Sequence, residues 1–325
     1  MKRRQFIGAL IGVLAAQRAA RAQQPEPGRT YRVAYLGPSP KGSPAQDAFF
    51  AALGRLGFVE GKNLELDNRG YAQQPGQFAR TAQALVESKA DLILCGGPEP
   101  AKAAQQATKT IPLLANTDDM VGEGLVPSLA HPGGNMTGVS IFSSELDGKR
   151  FEILLQLLPA AHRIDALAGS DTGNAEHLQI LQDEAHARGV DLVVHKVNAY
   201  DEIVPAVDAA KVGGTAGLNV LGSALLFGNR KAIFERAAAL RLPAIYQWPE
   251  NAHEGGLIGY GPSIVHIYGD QLSRMAADVL RGTKPGDIPV EHPTRYYLAV
   301  NLAVAKALGL EIPPTVLARA DDVVE

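Results

Sequence analysis

Two stretches of this chain carry the same pattern about 130 residues apart. The apolar segment 31–37 aligns with 162–168 at a separation of 131 residues. The segments 92–97 and 218–223 match at a separation of 126, and a third match that starts at Ile111 returns to 131. Because three matches follow in the same order at nearly one separation, the sequence predicts two copies of one domain.

The pattern inside each copy predicts the fold class. Apolar runs of four to seven residues alternate with Ala-rich segments of helical spacing, such as 44–56, 77–88 and 175–188. The runs predicted to be strands are 31–36, 91–95, 111–115, 164–168, 191–197, 217–221, 243–246, 256–260 and 294–300. Buried parallel strands read as continuous apolar runs, and strands separated by helices form βαβ units. We therefore predict an α/β protein with two Rossmann-like, doubly wound lobes, each built on a parallel central sheet.

The last third of the chain must add elements to both lobes, so we predict a hinge with three crossings. The crossings are expected near 143–148, 248–254 and 284–290. The predicted lobe boundaries follow from these positions: the N-terminal lobe contains 29–145 plus 252–285, and the C-terminal lobe contains 146–251 plus 286–325.

The N-terminus has the plan of a secretory signal peptide. Lys2, Arg3 and Arg4 precede a short apolar run, and Ala20 and Ala22 hold small residues at the positions read by a signal peptidase. This pattern predicts cleavage after residue 22 and a periplasmic location, by either the Sec or the twin-arginine route. No cysteine follows the apolar run, so lipid anchoring is not expected.

Charge and cysteine content exclude several classes of protein. The full chain has 31 basic and 34 acidic side chains. Loss of residues 1–22 removes five basic and no acidic side chains, which leaves 26 against 34 and a net charge of −8. A chain of this charge without a basic block is not expected to bind nucleic acid or an anionic membrane surface. Cys95, the only cysteine, lies in an apolar run and is predicted to be a buried hydrophobic residue.

The sequence lacks the motifs of common enzyme classes. It contains no phosphate-binding loop, no G-x-G-x-x-G turn after the first strand, no G-x-S-x-G nucleophile motif and no H-E-x-x-H metal motif. We therefore predict a protein that is not an enzyme and that has no cofactor and no bound metal.

Two facing α/β lobes create a cleft at the carboxyl ends of their strands, where ligands of open sheets bind. Helix N-termini in such a cleft favour a ligand with a carboxylate or another hydrogen-bond acceptor. The pair Asp118 and Asp119 follows a strand, and it is either a ligand-facing acceptor for an ammonium or hydroxyl group or a cap of the next turn. Tyr246 and Trp248 either stack on a planar ligand or pack in the hinge. The predicted ligand-binding residues are Ser39, Gly97, Pro98, Thr117, Asp118, Asp119, Asp171, Asn174, Ser223, Tyr246, Trp248 and Tyr260.

Several stretches resemble one known family. The segment 56–64, which reads L-G-F-V-E-G-K-N-L, resembles a turn of the tryptophan/tyrosine-type substrate-binding proteins of ABC transporters (the ABC_sub_bind family). Further similarity follows in order over nearly the whole mature chain, at 116–119, 129–139, 144–150, 243–246, 255–261 and 308–315.

The resemblance implies a type I periplasmic-binding-protein fold and capture of a small organic ligand by lobe closure. It favours an aromatic amino acid or a small aromatic or organic acid, delivered by a monomeric protein to an ABC permease and its ATPase. A sensory binding protein coupled to a receptor is the alternative. The loops at 169–174 and 221–225 depart from the family pattern, so ligand identity does not carry over.

Overall fold

Residues 25–172 and 175–325 are described by a computed structural model. The predicted signal peptide and Asn174 lie outside the described residues. Twelve strands within the described part of the chain form two sheets. The strands are β1 (Tyr31–Leu36), β2 (Leu64–Asp67), β3 (Leu92–Gly96), β4 (Leu113–Thr117), β5 (Met136–Ser140), β6 (Arg163–Gly169), β7 (Asp191–Val197), β8 (Leu218–Val220), β9 (Ala244–Tyr246), β10 (Ile258–Gly261), β11 (Tyr297–Asn301) and β12 (Asp322–Val324).

Helices cover both sheets. They are α1 (Pro44–Arg55), α2 (Phe78–Glu87), α3 (Pro98–Ala107), α4 (Asp147–Leu157), α5 (Ala175–Ala187), α6 (Tyr200–Val212), α7 (Ala224–Gly228), α8 (Arg230–Ala239), α9 (Glu250–His253), α10 (264–280), α11 (Leu302–Leu308) and α12 (Pro314–Leu317). Short 3₁₀ turns occupy Asn68–Gly70, Ser144–Leu146 and Pro285–Asp287. The middle of α10, Ile267–Leu272, is a π-helical turn.

The first lobe is built on a five-stranded sheet in the order β2-β1-β3-β4-β5, with all strands parallel. The apolar run in β3 is buried on both faces of this sheet, as expected for a parallel strand between helices. Cys95 ends that run and is fully buried, which confirms the hydrophobic interpretation. Helix α10 joins this lobe although it comes much later in the chain, since it packs along α1.

The second lobe repeats the order of the first. Its seven-stranded sheet contains β7-β6-β8-β9-β10, the same arrangement five strands later, and β11 and β12 extend it. Strand β11 runs antiparallel to β10, whereas the other neighbouring pairs are parallel. The two-lobed α/β fold predicted from the repeat is thus confirmed. The sequence pattern missed β2, β5 and β12, each of which is an edge strand of its sheet.

Three segments connect the lobes: 141–146, 262–263 and 292–296. The first agrees with the predicted crossing, and the other two come later in the chain than expected. Strand β10 pairs with β9 and β11 in the second sheet, although the predicted boundaries assigned 252–285 to the first lobe. Val139 forms a bridge with Glu291 at the edge of the first sheet, so the chain leaves the first lobe only after that residue.

Arg150 joins the first crossing to strand β10 although its side chain has no exposed surface. Its Nη1 donates to the carbonyl oxygen of Ser143 (3.0 Å) and to Oδ1 of Asp147 (2.6 Å), and its Nε donates to the carbonyl oxygen of Tyr260 (2.8 Å). The other oxygen of Asp147, also buried, lies 3.0 Å from Nε2 of His177. A buried charge needs partners of this kind, so the network fixes the second lobe against the hinge.

Candidate ligand-binding cleft

A cavity of about 550 Å³, including its mouth, lies between the two lobes. Both lobes contribute to the lining, which consists of Tyr35, Pro38, Ser39, Gly96, Gly97, Pro98, Asn116, Thr117, Asp118, Ile141, Asp171, Gly222, Ser223, Ala224, Phe227, Gln247, Trp248, Ile264 and Tyr268.

Tyr35, near the end of β1, lines the first-lobe side of the cavity. Its hydroxyl group fits over two glycines, because a Cβ atom at Gly37 or Gly96 would lie only 2.4 or 2.3 Å from Oη. Its ring stacks on Tyr71 with ring centroids 5.0 Å apart. Burial raises the pKa of the Tyr35 phenol, and hydrogen bonding to Ser39 partly offsets this effect. The phenol therefore stays neutral and acts as a hydrogen-bonding group.

Three polar residues follow one another at the end of β4. Asn116 is 7% exposed, and no protein partner for its Oδ1 lies among the described residues. Thr117 is also buried in the lining. Oδ1 of Asp118 accepts the backbone N–H groups of Ser143 and Ser144 (3.2 Å for the latter), at the first crossing. Asp118 thus caps the hinge turn while it also lines the cleft, and burial raises the pKa of its carboxyl group.

Asp119 lies at the outer mouth and does not line the main cavity. Its Oδ1 accepts the N–H of Val121 (3.1 Å) in a local turn. The mouth also contains Glu99, Glu123, His177 and Lys102. Burial, together with the neighbouring Asp118, raises the pKa of Glu123 to about 7, although the backbone N–H of Asp119 donates to its Oε1 (3.2 Å). Several carboxylates therefore surround the entrance.

Asp171 and Ser223 form the second-lobe wall and bind each other. The Ser223 hydroxyl donates to Oδ1 of Asp171, and Oδ2 accepts the N–H of Ala224 (2.7 Å) at the start of α7. The Ser223 oxygen also accepts the N–H of Leu226 (3.2 Å), as an N-cap does. Burial raises the pKa of the Asp171 carboxyl group. Asp171 and Ser223 were both predicted to bind the ligand. In this arrangement of the lobes, they are hydrogen-bonded to each other and to the start of α7.

The two lobes touch at the glycines of the cleft. Gly97 has a φ of 125°, and a Cβ atom there would lie 2.7 Å from Cβ of Ala224 in the other lobe. A Cβ atom at Gly228 would lie 2.8 Å from Cβ of Pro38. Gly97 is therefore required both by its backbone conformation and by the close approach of the opposite lobe.

Phe227, in α7, and Trp248, two positions after β9, bring aromatic surface to the cleft. Their rings meet edge to face with centroids 6.1 Å apart. Trp248 is 4% exposed, packs among core residues of the first lobe, and lines the cavity. Its Nε1 has no partner among the described residues. Trp248 therefore combines hinge packing with a position at the cleft.

Two predicted residues lie away from the cavity. Tyr246 is buried in the core of the second lobe, where its ring meets Phe234 edge to face at 4.8 Å. Tyr260 packs against the other core cluster of that lobe, and its carbonyl oxygen binds Arg150. The two side chains lie in different core clusters against the second sheet, and neither points to the carboxyl ends of the strands, where the cleft is.

The structure also brings to the cleft residues that the sequence did not indicate: Tyr35, Asn116, Ile141, Phe227, Gln247, Ile264 and Tyr268. Tyr35 lies four positions before the predicted residue Ser39, and Asn116 lies one position before Thr117, so a wider definition of the strand ends would have included them. Tyr268 comes from α10, which the predicted boundaries assign to the first lobe, but the sequence does not show which side chains of this helix face the cavity.

The described residues contain no group of three or more His, Cys, Asp or Glu side chains that could hold a metal ion. In the same part of the chain, no helix is long and apolar enough to cross a membrane.

Comparison with known proteins identifies the family. The profile of the family described as ABC transporter substrate binding protein matches residues 42–324. This chain belongs to that family. The family assignment makes it a binding protein and not an enzyme.

Three relatives of this substrate-binding protein are informative. A tyrosine-binding protein of Clostridioides difficile is 28% identical over 269 residues, which cover 82% of this chain and 77% of that protein. A conserved domain protein of Vibrio cholerae superposes with a TM-score of 0.80 at 26% identity, over 91% of this chain and 99% of that one. A streptococcal ABC domain in complex with L-Trp has a TM-score of 0.77 at 22% identity, over 91% and 100% of the two chains, and shows the shared fold.

The overall shape of a fourth relative agrees less well with that of this chain. The ligand-free, open structure of a substrate-binding protein from Clostridium difficile is also 26% identical, over 91% of this chain and 99% of that one, yet its TM-score is 0.60. Identity and coverage equal those of the Vibrio protein, so the lower score comes from shape. Together with the contacts between Gly97 and Ala224, this fits a more closed arrangement of the lobes here.

Proposed function

We propose that this protein captures a small aromatic compound in the periplasm by closing its two lobes, and that it delivers the compound to an ABC permease. The observation that carries the proposal is the cleft itself. Both lobes line it, and aromatic side chains stand on each side: Tyr35 and Tyr268 in the first lobe, Phe227 and Trp248 at the second. Aromatic rings in such a cavity stack on or meet the edges of a planar ligand.

Two further observations support the proposal. The relative that binds tyrosine is 28% identical over most of both chains. The segment 1–22 has the pattern of a secretory signal, which would place the mature protein outside the cytoplasm. A protein of this family in that compartment can meet its ligand before a permease does.

Closure is the step that links binding to delivery. Three separate crossings restrict the lobes to opening and closing about one hinge. A ligand that contacts both walls binds the closed form better than the open one, and so shifts the population toward it. The closed form is then the shape that a permease can distinguish from the empty protein.

The fluorescence of Trp248, the single tryptophan of the chain, tests the binding step. The purified mature protein would be titrated with aromatic amino acids, aromatic amines and aromatic acids, with thermal unfolding as a second readout. We expect saturable changes in emission and a higher unfolding temperature for at least one compound. No response in either measurement across the whole panel would contradict the proposal.

Uptake by cells tests delivery. Cells without the gene should take up the identified ligand more slowly than the parent strain, and the cloned gene should restore uptake. Equal uptake with and without the gene, for a ligand that binds, would contradict the transport role.

A further inference from the structure

Two carboxylates at matching positions of the repeat each bind the chain where it crosses between the lobes. Asp118 follows β4, and Glu250 follows β9, the strand that occupies the position of β4 in the second sheet. The two residues are 132 positions apart, within one residue of the separation of 131 in the match that starts at Ile111. They therefore hold equivalent places in the duplicated lobe.

Asp118 binds the first crossing, 141–146, from the first lobe. Its Oδ1 accepts the backbone N–H groups of Ser143 and Ser144 (3.2 Å for the latter). The crossing comes after β5, which pairs with β4, so the carboxylate reaches from one strand end to the chain that leaves the next strand. Ile141, the first residue of this crossing, lines the cavity. The segment that Asp118 fixes is thus also a wall of the cleft.

Glu250 binds the second crossing, 262–263, in the same way from the second lobe. Its Oε1 accepts hydrogen bonds from the hydroxyl group of Ser263 and from the N–H of Val265 (3.2 Å), where α10 begins. Its Oε2 is buried and has no protein partner among the described residues, so the bonds to the crossing are the ones that hold this carboxylate. Ile264, between the two bonded residues, lines the cavity.

A single buried side chain connects the two crossings. Arg150 donates to the carbonyl oxygen of Ser143 in the first crossing (3.0 Å) and to that of Tyr260 (2.8 Å), in the strand that leads into the second crossing. A Cβ atom at Gly261, the last residue of that strand, would lie 3.3 Å from Nη2 of Arg150. Because packed and hydrogen-bonded groups transmit displacement, a shift of one crossing should be felt at the other.

Within the closure step of the proposed function, we infer that Asp118 and Glu250 are a matched pair of positioning residues that jointly set the angle between the lobes. Hinge residues absorb the change in backbone torsion when lobes close. A carboxylate bonded to each crossing restricts that change. Loss of either carboxylate therefore loosens both crossings, whereas loss of an ordinary helix cap loosens only its own helix end.

Hydrogen exchange of the ligand-free mature protein, measured by mass spectrometry, tests this coupling. Glu250→Met removes the acceptor at the second crossing. We expect at least about tenfold faster exchange in peptides that contain Val265, since a hydrogen bond to a charged group is worth about one to two decades in an equilibrium constant. Exchange should also become faster at Ser143 and Ser144, whose N–H groups bind Asp118. Peptides from β3 should keep the wild-type rate, which shows that the variant stays folded.

Conservative variants are the matched controls. Glu250→Gln keeps an oxygen that can accept the same two hydrogen bonds, so both crossings should exchange close to the wild-type rate. Asp118→Leu is the reciprocal variant and should speed exchange at Val265 as well as at the first crossing, whereas Asp118→Asn should not. Asp67→Ala removes a carboxylate that caps the turn at Arg69 in the first lobe, away from the hinge, and should leave both crossings unchanged.

The outcomes separate this inference from the proposed function. Faster exchange confined to the crossing whose own carboxylate was replaced would overturn the inference, because each residue would then be a local cap. If an aromatic compound binds while the crossings exchange independently, the proposed function stands and the inference fails. If both crossings loosen together in each variant while no aromatic compound binds, the inference stands and the proposed function fails.

Discussion

The two walls of the cleft come from matching positions of a repeated lobe, yet they use their polar groups differently. In the first lobe, Asn116 at the end of β4 keeps an acceptor oxygen without a protein partner among the described residues. In the second lobe, Asp171 and Ser223 bind each other and the start of α7. The amide of Asn116 therefore has hydrogen-bonding capacity left for a ligand, as does the indole N–H of Trp248, whereas the Asp171–Ser223 pair holds the shape of its own wall.

The contrast extends to single matched positions. Gly97 and Ser223 align in the repeat, and both precede a helix. Gly97 lets Ala224 of the opposite lobe approach closely, whereas Ser223 caps α7. The repeat thus places matched residues at equivalent positions of the two lobes. Their side chains determine whether such a position forms a contact between the lobes, caps a helix or binds a ligand.

The largest effect should come from the buried network behind the second wall. Arg150→Met removes the guanidinium partner of Asp147, which has no exposed surface, leaves His177 as the remaining partner of that carboxylate, and frees the carbonyl groups of Ser143 and Tyr260. We expect a loss of about 3–5 kcal/mol in the free energy of unfolding, measured in urea, because one member of a buried ion pair is removed and its hydrogen-bond partners stay buried.

Arg236→Met is the matched control. Arg236 pairs with Asp208 on the surface of the same lobe, so its loss should change the free energy of unfolding far less than the loss of Arg150 does. A comparable loss in both variants would mean that the Arg150 network does not hold the second lobe.

The buried carboxyl group of Glu123, in the first lobe, should make the free energy of unfolding depend on pH. Its pKa is raised to about 7 by burial, so folding favours the protonated form. The stability that Glu123 contributes is therefore fully present below its ordinary pKa of 4.5 and is lost as the pH rises through 7. The stability gap between the wild type and Glu123→Gln should change by on the order of 1–3 kcal/mol between pH 4.5 and 8.

Chemical denaturation at a series of pH values measures this gap. Glu235→Gln, at an exposed position of α8, is the control and should show a gap that does not depend on pH. A constant gap for Glu123→Gln as well would show that its carboxyl group is not buried in solution.

A pair of smaller substitutions addresses the contrast between the walls directly. Asn116→Ala should weaken ligand binding by about five- to tenfold, without lowering the stability of the free protein, because its oxygen has no internal bond to lose. Ser223→Ala should lower the stability by about 1 kcal/mol, since α7 loses its N-cap. Calorimetry measures the ligand affinity of both variants, and thermal unfolding measures their stability. A loss of stability in Asn116→Ala would contradict the proposed difference between the two walls.

The sequence predicted the architecture because the physical signal for it is local. The strand Tyr31–Leu36 and the strand Asp191–Val197 have the predicted bounds, since continuous apolar runs between Ala-rich helices mark buried parallel strands. The edge strand Leu64–Asp67 was missed because one side of an edge strand is exposed, and its sequence then alternates with charged residues.

The site was less predictable because it depends on long-range placement. Ser39, Gly97, Pro98, Thr117 and Asp118 line the cleft since they follow strand ends, which a pattern can locate. Tyr246 and Tyr260 do not, because the direction of a side chain on its strand decides between core and cleft. Tyr268 reaches the cleft through the return of α10 to the first lobe. The predicted lobe boundaries include that return, but they do not show which side chain of the helix faces the cavity.

Small-angle scattering of the purified protein, with and without a saturating aromatic ligand, measures closure most directly. With ligand, the scattering curve should fit the lobe arrangement described here, and without ligand the radius of gyration should be larger. Identical curves in the two states, at a ligand concentration that calorimetry shows to be saturating, would contradict capture by closure.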